Sequence, residues 1–517
     1  MTASPPPDAG GSDRLRQAIR QHPGDPALHN GLGNELLARG DPAGAIACYD
    51  AALLLAPNLA ELHYNRANAL VAADQTEAAM AAFEQALAID PAHAGAYQNA
   101  GNLLRRLHRP EAAADFYRRA LRLTPADAAV RYNLGVVLLD LDRTAEALTW
   151  FEQAATAAIP YPAAFASAGE ALLRLGRPEP ALAWFAGALR HDPVSQPAHF
   201  GHGVALLTLG AWRQGWAEFE WRLADPRIAI ALPETGVPAW TGIQPVAGRT
   251  LLLRAEQGNG DSIQFVRYAP LLRARGARVV LQVQSGLVAL FADLADQAIA
   301  QTTPPPACDL HCSLMSLPHA FATELSTVPT DPYLAPDPSR LAAWRSRLGD
   351  LPGPRIGLAW SGNPGHMLDH QRSIPAALLT PLLAAPNAGF HLLQPDIKPA
   401  DHPVPATIAT HFADLHDFAD TAALIALMDL VITVDTSVAH LAGALGRPVW
   451  IMLPFAADFR WLRDRADSPW YPSARLFRQT SPGDWAPVIA EITAALAAFC
   501  AAVPSWEHSS HAAPHPS

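Results

Sequence analysis

Charge is scarce in this chain. Only 16% of its 517 residues are Asp, Glu, Lys or Arg, and 48 acidic against 37 basic residues leave a formal net charge of −11. A nucleic-acid binder needs a basic surface, so that class is set aside. Cysteine is scarcer still. Cys48, Cys308, Cys312 and Cys500 are scattered, which argues against a disulfide framework, and Cys308 and Cys312 are too isolated for a zinc site. A reduced, cytoplasmic setting is expected. No apolar run approaches the ~20 residues needed to span a bilayer. Met1 to Asp13 is rich in Pro and Gly and lacks the apolar segment of a signal peptide. No metal-ligand cluster is visible. The dinucleotide fingerprint Gly-x-Gly-x-x-Gly is also missing, because Ile263 stands at the third glycine position after Gly258 and Gly260.

What is abundant is apolar material, 50% of the chain, enough for several cores. In the first half it is periodic. Tyr49, Phe83, Tyr117, Phe151, Phe185 and Phe219 follow each other at a step of 34 residues. Gly33, Ala67, Gly101, Gly135, Gly169 and Gly203 keep the same step, as do Ala45, Ala79, Ala113, Ala147, Ala181 and Gly215. Small residues let paired helices approach, and the aromatic fills the gap to the next unit. Such an array resembles the tetratricopeptide repeat (TPR), a helix–turn–helix unit that stacks into an α-solenoid with a concave face. Ser12 to His22 is expected to supply a capping helix. Asn65, Asn99 and Asn133 form a ladder on the first helices, and Asn34, Asn68 and Asn102 a second. These amides either satisfy neighbouring backbone or, as resemblance to the array of O-GlcNAc transferases implies, hold an extended peptide. The last repeat concentrates Trp212, Trp216, Phe219 and Trp221, read as core sealing the array against the next domain.

The second half alternates strand and helix, which implies parallel sheets. Strands are expected at 249–256, 277–284, 297–301, 309–314, 355–360, 390–394, 430–434, 449–453 and 475–478, with helices at 263–275, 339–348, 421–428 and 485–501. The expected domains are a disordered N-terminus and cap (1–24), the array (25–226), a Pro-rich linker (227–247), two doubly wound halves (248–340 and 341–501) and a disordered tail (502–517) holding His508, His511 and His515.

Three stretches carry chemistry. Gly258-Asn-Gly-Asp261 follows the first strand. Its glycines permit a sharp turn and close approach of a substrate, and Asp261 is either a helix cap or a general base. Trp360-Ser-Gly-Asn363 and the nearby Arg372 form a loop able to offer donors and a cation to phosphate, with an ordinary solvated arginine as the plainer reading. Asp435-Thr436-Ser437-Val438 starts a helix whose N-terminal amides favour an anion, with His440 one turn on. That site is otherwise a capped helix with a half-buried histidine.

Taken together, Gly258–Asp261, Trp360–Asn363 and Val434–Gly446 resemble glycosyltransferase family 9, the heptosyltransferase-like group with the GT-B fold. The resemblance spans roughly residues 248 to 500. It implies a TPR α-solenoid followed by a GT-B pair of Rossmann-like domains, and a nucleotide-sugar donor with no further cofactor or metal. It assigns donor contacts to Asp435, Thr436, Ser437, Val438, His440, Ser361, Asn363 and Arg372. Gly258 and Gly260 are expected to contact substrate through their close backbone approach, and the resemblance makes Asp261 the proton acceptor. Arg372 stands where the family usually places a lysine. The array would recruit a polypeptide through Asn65, Asn99 and Asn133. The alternative is a non-catalytic scaffold whose transferase-like half has degenerated.

Overall fold

A computed structural model describes residues 9–232, 235–349, 353–365 and 368–502. Most of the expected disordered tail, and residues 1–8 of the expected disordered N-terminus, lie outside the described residues. Two compact units are present: Met1–Leu175 with Arg190–Pro193, and Gly176–Leu189 with Val194–Ser517.

The first unit is all helix. After the capping helix Ala9–Gln21 come the pairs Pro26–Ala38 with Pro42–Leu55, Ala60–Ala72 with Thr76–Ile89, Ala94–Arg106 with Pro110–Leu123, and Ala128–Asp140 with Thr144–Ala155; helix Ala163–Arg174 comes next. The period has a steric cause. A β-carbon on Gly33 would lie 2.6 Å from the Tyr49 ring, on Gly101 2.8 Å from Tyr117, and on Gly135 2.6 Å from Phe151. These positions are small because an aromatic from the second helix lies flat on the first.

The second unit holds the last helical pair, Gln196–Thr208 with Trp212–Phe219, and two parallel sheets. Strands β1 (Thr250–Arg254), β2 (Arg278–Val283), β3 (Gln297–Ala300) and β4 (Leu310–Ser313) form a sheet in the order β3-β2-β1-β4. Strands β5 (Arg355–Ala359), β6 (Gly389–Leu392), β7 (Ile408–Ala409), β8 (Leu430–Val434), β9 (Val449–Leu453) and β10 (Ala474–Arg478) form the other, ordered β10-β9-β8-β5-β6-β7. Both are Rossmann-like. Strand order reverses between β1 and β4 and between β5 and β8, and such switch points open crevices at the carboxyl ends of parallel strands. The turns carrying Asp261, Trp360–Asn363 and Asp435–Ser437 all leave strands at these points.

Several expectations need correction. The helix expected at 263–275 is broken into Asn259–Phe265, a 3₁₀ turn and Ala269–Ala274. Pro270 has no N–H to continue the first segment and instead sits in the first turn of the second. The stretch 227–247 is not a bare linker. It contains helix Pro226–Ala231, and Trp240 is buried. Trp240 donates its backbone N–H to His311 at 2.7 Å, so this segment adds to the edge of β4. The two sheets, expected as two doubly wound halves, share one core. It runs from Leu251 and Leu281 through Ala442 to Ile451, and the other face of the second sheet has its own core around Ile356, Ile432 and Trp485.

The aromatic stripe does seal this end of the helical array. Trp216 meets Phe265 at 6.0 Å, Phe459 at 5.7 Å and Trp470 at 6.3 Å. Arg222, 2% exposed, adds a buried ion pair with Glu256 at the end of β1, 2.8 Å away, and also donates to Ser316. Burial pushes the Glu256 carboxyl up, against the pull of Arg222.

Candidate functional site

The site forms where helix Asn259–Phe265 meets helix Ser437–Ala444. Gly260 touches the second helix. A β-carbon there would lie 3.0 Å from His440 Cδ2 and 3.5 Å from Ser437 Cα. Neither Gly258 nor Gly260 needs a positive φ. Their glycine character therefore serves close approach at Gly260, not the sharp turn expected.

Asp261 is not an N-cap. It sits in the third position of its helix, and its Oδ2 accepts from the Gly258 N–H at 2.9 Å. Its Oδ1 pairs with the guanidinium of Arg460. Arg460, 8% exposed, also donates Nε to Gln264 Oε1 at 2.7 Å and Nη1 to Asp458 Oδ1 at 2.8 Å. Burial works against its charge, but Asp458 and Asp261 outweigh it and hold the guanidinium firmly protonated.

On the facing helix, Thr436 is the N-cap residue but makes no side-chain cap. Its hydroxyl instead meets Thr433 Oγ1 at 3.2 Å. The first turn is thus left without a side-chain acceptor, contrary to the cap expected from Asp435-Thr436-Ser437. The Asp435 carboxyl is pushed up to about 6, first by burial and then by Asp458. His440 is buried between Tyr471, whose hydroxyl lies 3.0 Å from Nδ1, and Trp461, on which it stacks with ring centroids 5.4 Å apart. Burial, with Arg460, Arg267 and Arg372 nearby, drives its pKa well down, so it is neutral at pH 7. Its Nε2 faces Asp435 Oδ1 at 4.0 Å, beyond hydrogen-bond reach. Val438 is buried in the core.

The loop after β5 supplies Arg372, whose Nη1 donates to the Asp435 carbonyl at 3.1 Å and whose Nε reaches Asp369 at 3.3 Å. Arg372 is therefore brought to the same place as Asp435. Ser361 is turned inward. It is 6% exposed, its backbone N–H donates to Gln394 Oε1 at 3.2 Å and its hydroxyl accepts from Gln394 Nε2 at 2.8 Å, so Gln394 pins it to the loop. Asn363 is exposed and caps its own turn by accepting from Gly365 N–H at 2.9 Å. Asn65, Asn99 and Asn133 belong to the other unit. There they donate to neighbouring repeats: Asn65 to Asn30 at 3.0 Å, Asn99 to Asn68 at 2.8 Å and Asn133 to Asn102 at 3.3 Å.

Sequence reasoning missed Arg460, Asp458, Gln264 and Trp461, which no local motif marks. It also missed Lys398, 2.5 Å from Asp369 Oδ2 beside Arg372. That one had a signal, since Lys398 is the only lysine in the chain.

The architecture is that of a helical-repeat protein joined to paired parallel-sheet, Rossmann-like folds. Family models agree with both parts. Tetratricopeptide-repeat models match residues 33–74, 60–93 and 99–162. The model for glycosyltransferase family 9 (heptosyltransferase) matches residues 407–452, from β7 to β9 and across Asp435–His440. The chain thus combines TPR repeats with a family 9 glycosyltransferase-like region. Protein FlbA of Caulobacter vibrioides is 30% identical over 342 residues, covering 58% of this chain and 55% of that protein. The chain therefore matches about half the length of this relative. Among solved structures, YrrB, a TPR protein with an unusual peptide-binding site, aligns with 25% identity over 36% of this chain and 96% of its own, at a TM-score of 0.32. PilW, a type IV pilus biogenesis factor, aligns with 20% identity over 39% and 93%, at 0.35. Among the described residues, no helix is long and apolar enough to cross a membrane.

Proposed function

We propose that this protein is a GT-B type glycosyltransferase that moves a sugar from a nucleotide-sugar donor to an acceptor hydroxyl in the cytoplasm, without a metal. The observation that carries the reading is the meeting of Asp261, from the switch point of one parallel sheet, with the uncapped helix start at Asp435–Val438 and Arg372, from the switch point of the other. A carboxylate that can take a proton stands beside backbone amides and a cation that can take a phosphate.

In this reading the donor's phosphate lies on the first turn of helix Ser437–Ala444. Asp261 accepts the proton of the acceptor hydroxyl as its oxygen attacks the anomeric carbon. The bond from that carbon to the phosphate oxygen breaks, and the charge left on phosphate is met by the helix dipole and Arg372. Neutral His440, stacked on the buried ring of Trp461, packs within the helix that carries this turn. The repeats recruit a polypeptide acceptor or partner along the face bearing Asn65, Asn99 and Asn133.

The test is a panel of nucleotide sugars scored for hydrolysis, transfer and thermal shift. At least one donor is expected to raise the melting temperature, and Asp261→Ala to abolish transfer while donor binding survives. A chain stabilised by no donor would be the scaffold of the alternative reading. Transfer that persists in the Asp261 variant removes that residue from its role.

A further inference from the structure

The Asp261–Arg460 ion pair is hard to reconcile with a base that is ready to act. Both carboxylate oxygens are already engaged, Oδ1 by Arg460 and Oδ2 by the Gly258 N–H. Arg460 comes from the segment after β9, so the pair ties the turn that follows β1 to a loop of the second sheet. Its partner Asp261 follows Gly260, whose β-carbon position lies 3.5 Å from Ser437 Cα and 3.0 Å from His440 Cδ2, so the ion pair stands next to the first turn of helix Ser437–Ala444. Beside it lies one buried N–H donor without a hydrogen-bond acceptor, Gln264 Nε2, while the Trp461 indole acts as a donor toward the Asp435 carboxyl. Gln264 is held by its other end, Oε1, against Arg460 Nε. An arginine fork with a spare donor beside it suits an oxygen-rich anion.

We propose that Arg460 is a phosphate-binding residue and that its pair with Asp261 is a latch opened by the donor. This rests on the transferase reading above and specifies how the same site is regulated. In the free protein Arg460 is neutralised by Asp261 and Asp458. When a nucleotide phosphate arrives, its oxygens replace the Asp261 carboxylate on Nη2. Asp261 is released toward the acceptor hydroxyl only once the donor is in place. Binding is then ordered, donor before acceptor, and water is not activated in the empty site.

The consequence is specific: Asp261 and the donor compete for one cation. Removing the carboxylate must therefore tighten nucleotide binding. The experiment uses the full chain and isothermal titration with UDP, GDP, ADP, CDP, CMP and inorganic pyrophosphate. For the best of these probes, Asp261→Asn is expected to bind about fivefold or more tighter than wild type, and Arg460→Met about tenfold or more weaker. Arg460→Lys, which keeps the charge but not the fork, should fall between wild type and Arg460→Met. Circular dichroism melts of all three check that folding is intact. If wild type binds a probe and Asp261→Asn binds it equally or more weakly, the latch is overturned and the transferase reading stands. Equal binding by the folded Arg460→Lys and wild type also overturns it. If neither wild type nor Asp261→Asn binds any probe, both readings fall.

Discussion

Replacing Arg222 by Met isolates Glu256 in the core. The two charges lie 2.8 Å apart, and the Glu256 side chain is fully buried. At an effective dielectric of about 20 their attraction is about 6 kcal/mol, a gross figure. Desolvating two ions costs several kcal/mol each, so the intact pair is close to neutral in net stability. Breaking it is not neutral. Glu256 would be left buried without its cation, with an expected loss of about 3–5 kcal/mol. The double variant Arg222→Met, Glu256→Gln should recover most of that loss. Acid should recover part of it too. Burial raises the folded-state pKa of Glu256, so the folded form binds its proton more tightly than the unfolded chain. Stability gained from that proton is present at low pH and fades as pH rises through the raised value. The Arg222→Met loss should therefore shrink between pH 7.5 and pH 5 in a urea titration followed by tryptophan emission, since Trp212, Trp216 and Trp470 share this core. A single variant within about 1 kcal/mol of wild type, or a double variant no better than the single, would refute the reasoning.

Three other outcomes are expected. Gly260→Ala places a β-carbon 3.0 Å from His440 Cδ2 and should cost about 1–3 kcal/mol by overpacking, read as a lower melting temperature. An unchanged melt would mean the two turns are not in contact. Gly101→Ala puts its β-carbon 2.8 Å from the Tyr117 ring and should cost a similar amount, about 1–3 kcal/mol, in chemical unfolding of the repeats. Asp435, pushed up to about 6, favours its protonated form in the fold, so its contribution to stability is lost as pH rises through that value. Asp435→Asn should accordingly stabilise the protein above pH 6, by up to about 3 kcal/mol, and give no gain near pH 4. A gain independent of pH would show that the Asp435 carboxyl is not what titrates.

The architecture was largely legible because it rests on local repetition. A ring every 34 residues needs a small residue opposite it, and Gly33, Gly101 and Gly135 record that contact in the sequence. Leu430–Val434 is apolar without alternation because both of its faces are buried. The site was half legible. Asp261, Arg372 and Asp435–His440 sit beside turns or caps, where chemistry and chain punctuation coincide. Arg460 does not. It lies 199 residues from Asp261, and nothing in Phe459-Arg460-Trp461 distinguishes a buried, ion-paired arginine from a surface one. Ser361 carries a contact the sequence does not show. Its motif is that of a phosphate loop, and Gln394, from the end of another strand, bonds both its backbone N–H and its hydroxyl oxygen. Prolines mark 227–247 as a linker, but its Trp240 is buried and its backbone bonds to β4, a long-range contact that Pro content does not encode.

The aromatic joint around Trp216 also bears on how such a chain can change in evolution. Like units that touch only like neighbours can be duplicated or lost with small effect on the rest, and the pairs between Pro26 and Ala155 are of that kind. The pair Gln196–Phe219 is different, because its rings fill the same core as Phe265, Phe459 and Trp470. Repeat number is therefore free to drift at the front of the array, while the final repeat is inherited with the sheets. A cut placed by the sequence period, near residue 226, would strip that core from the half that holds the sheets. The boundary that respects the packing is near Leu175.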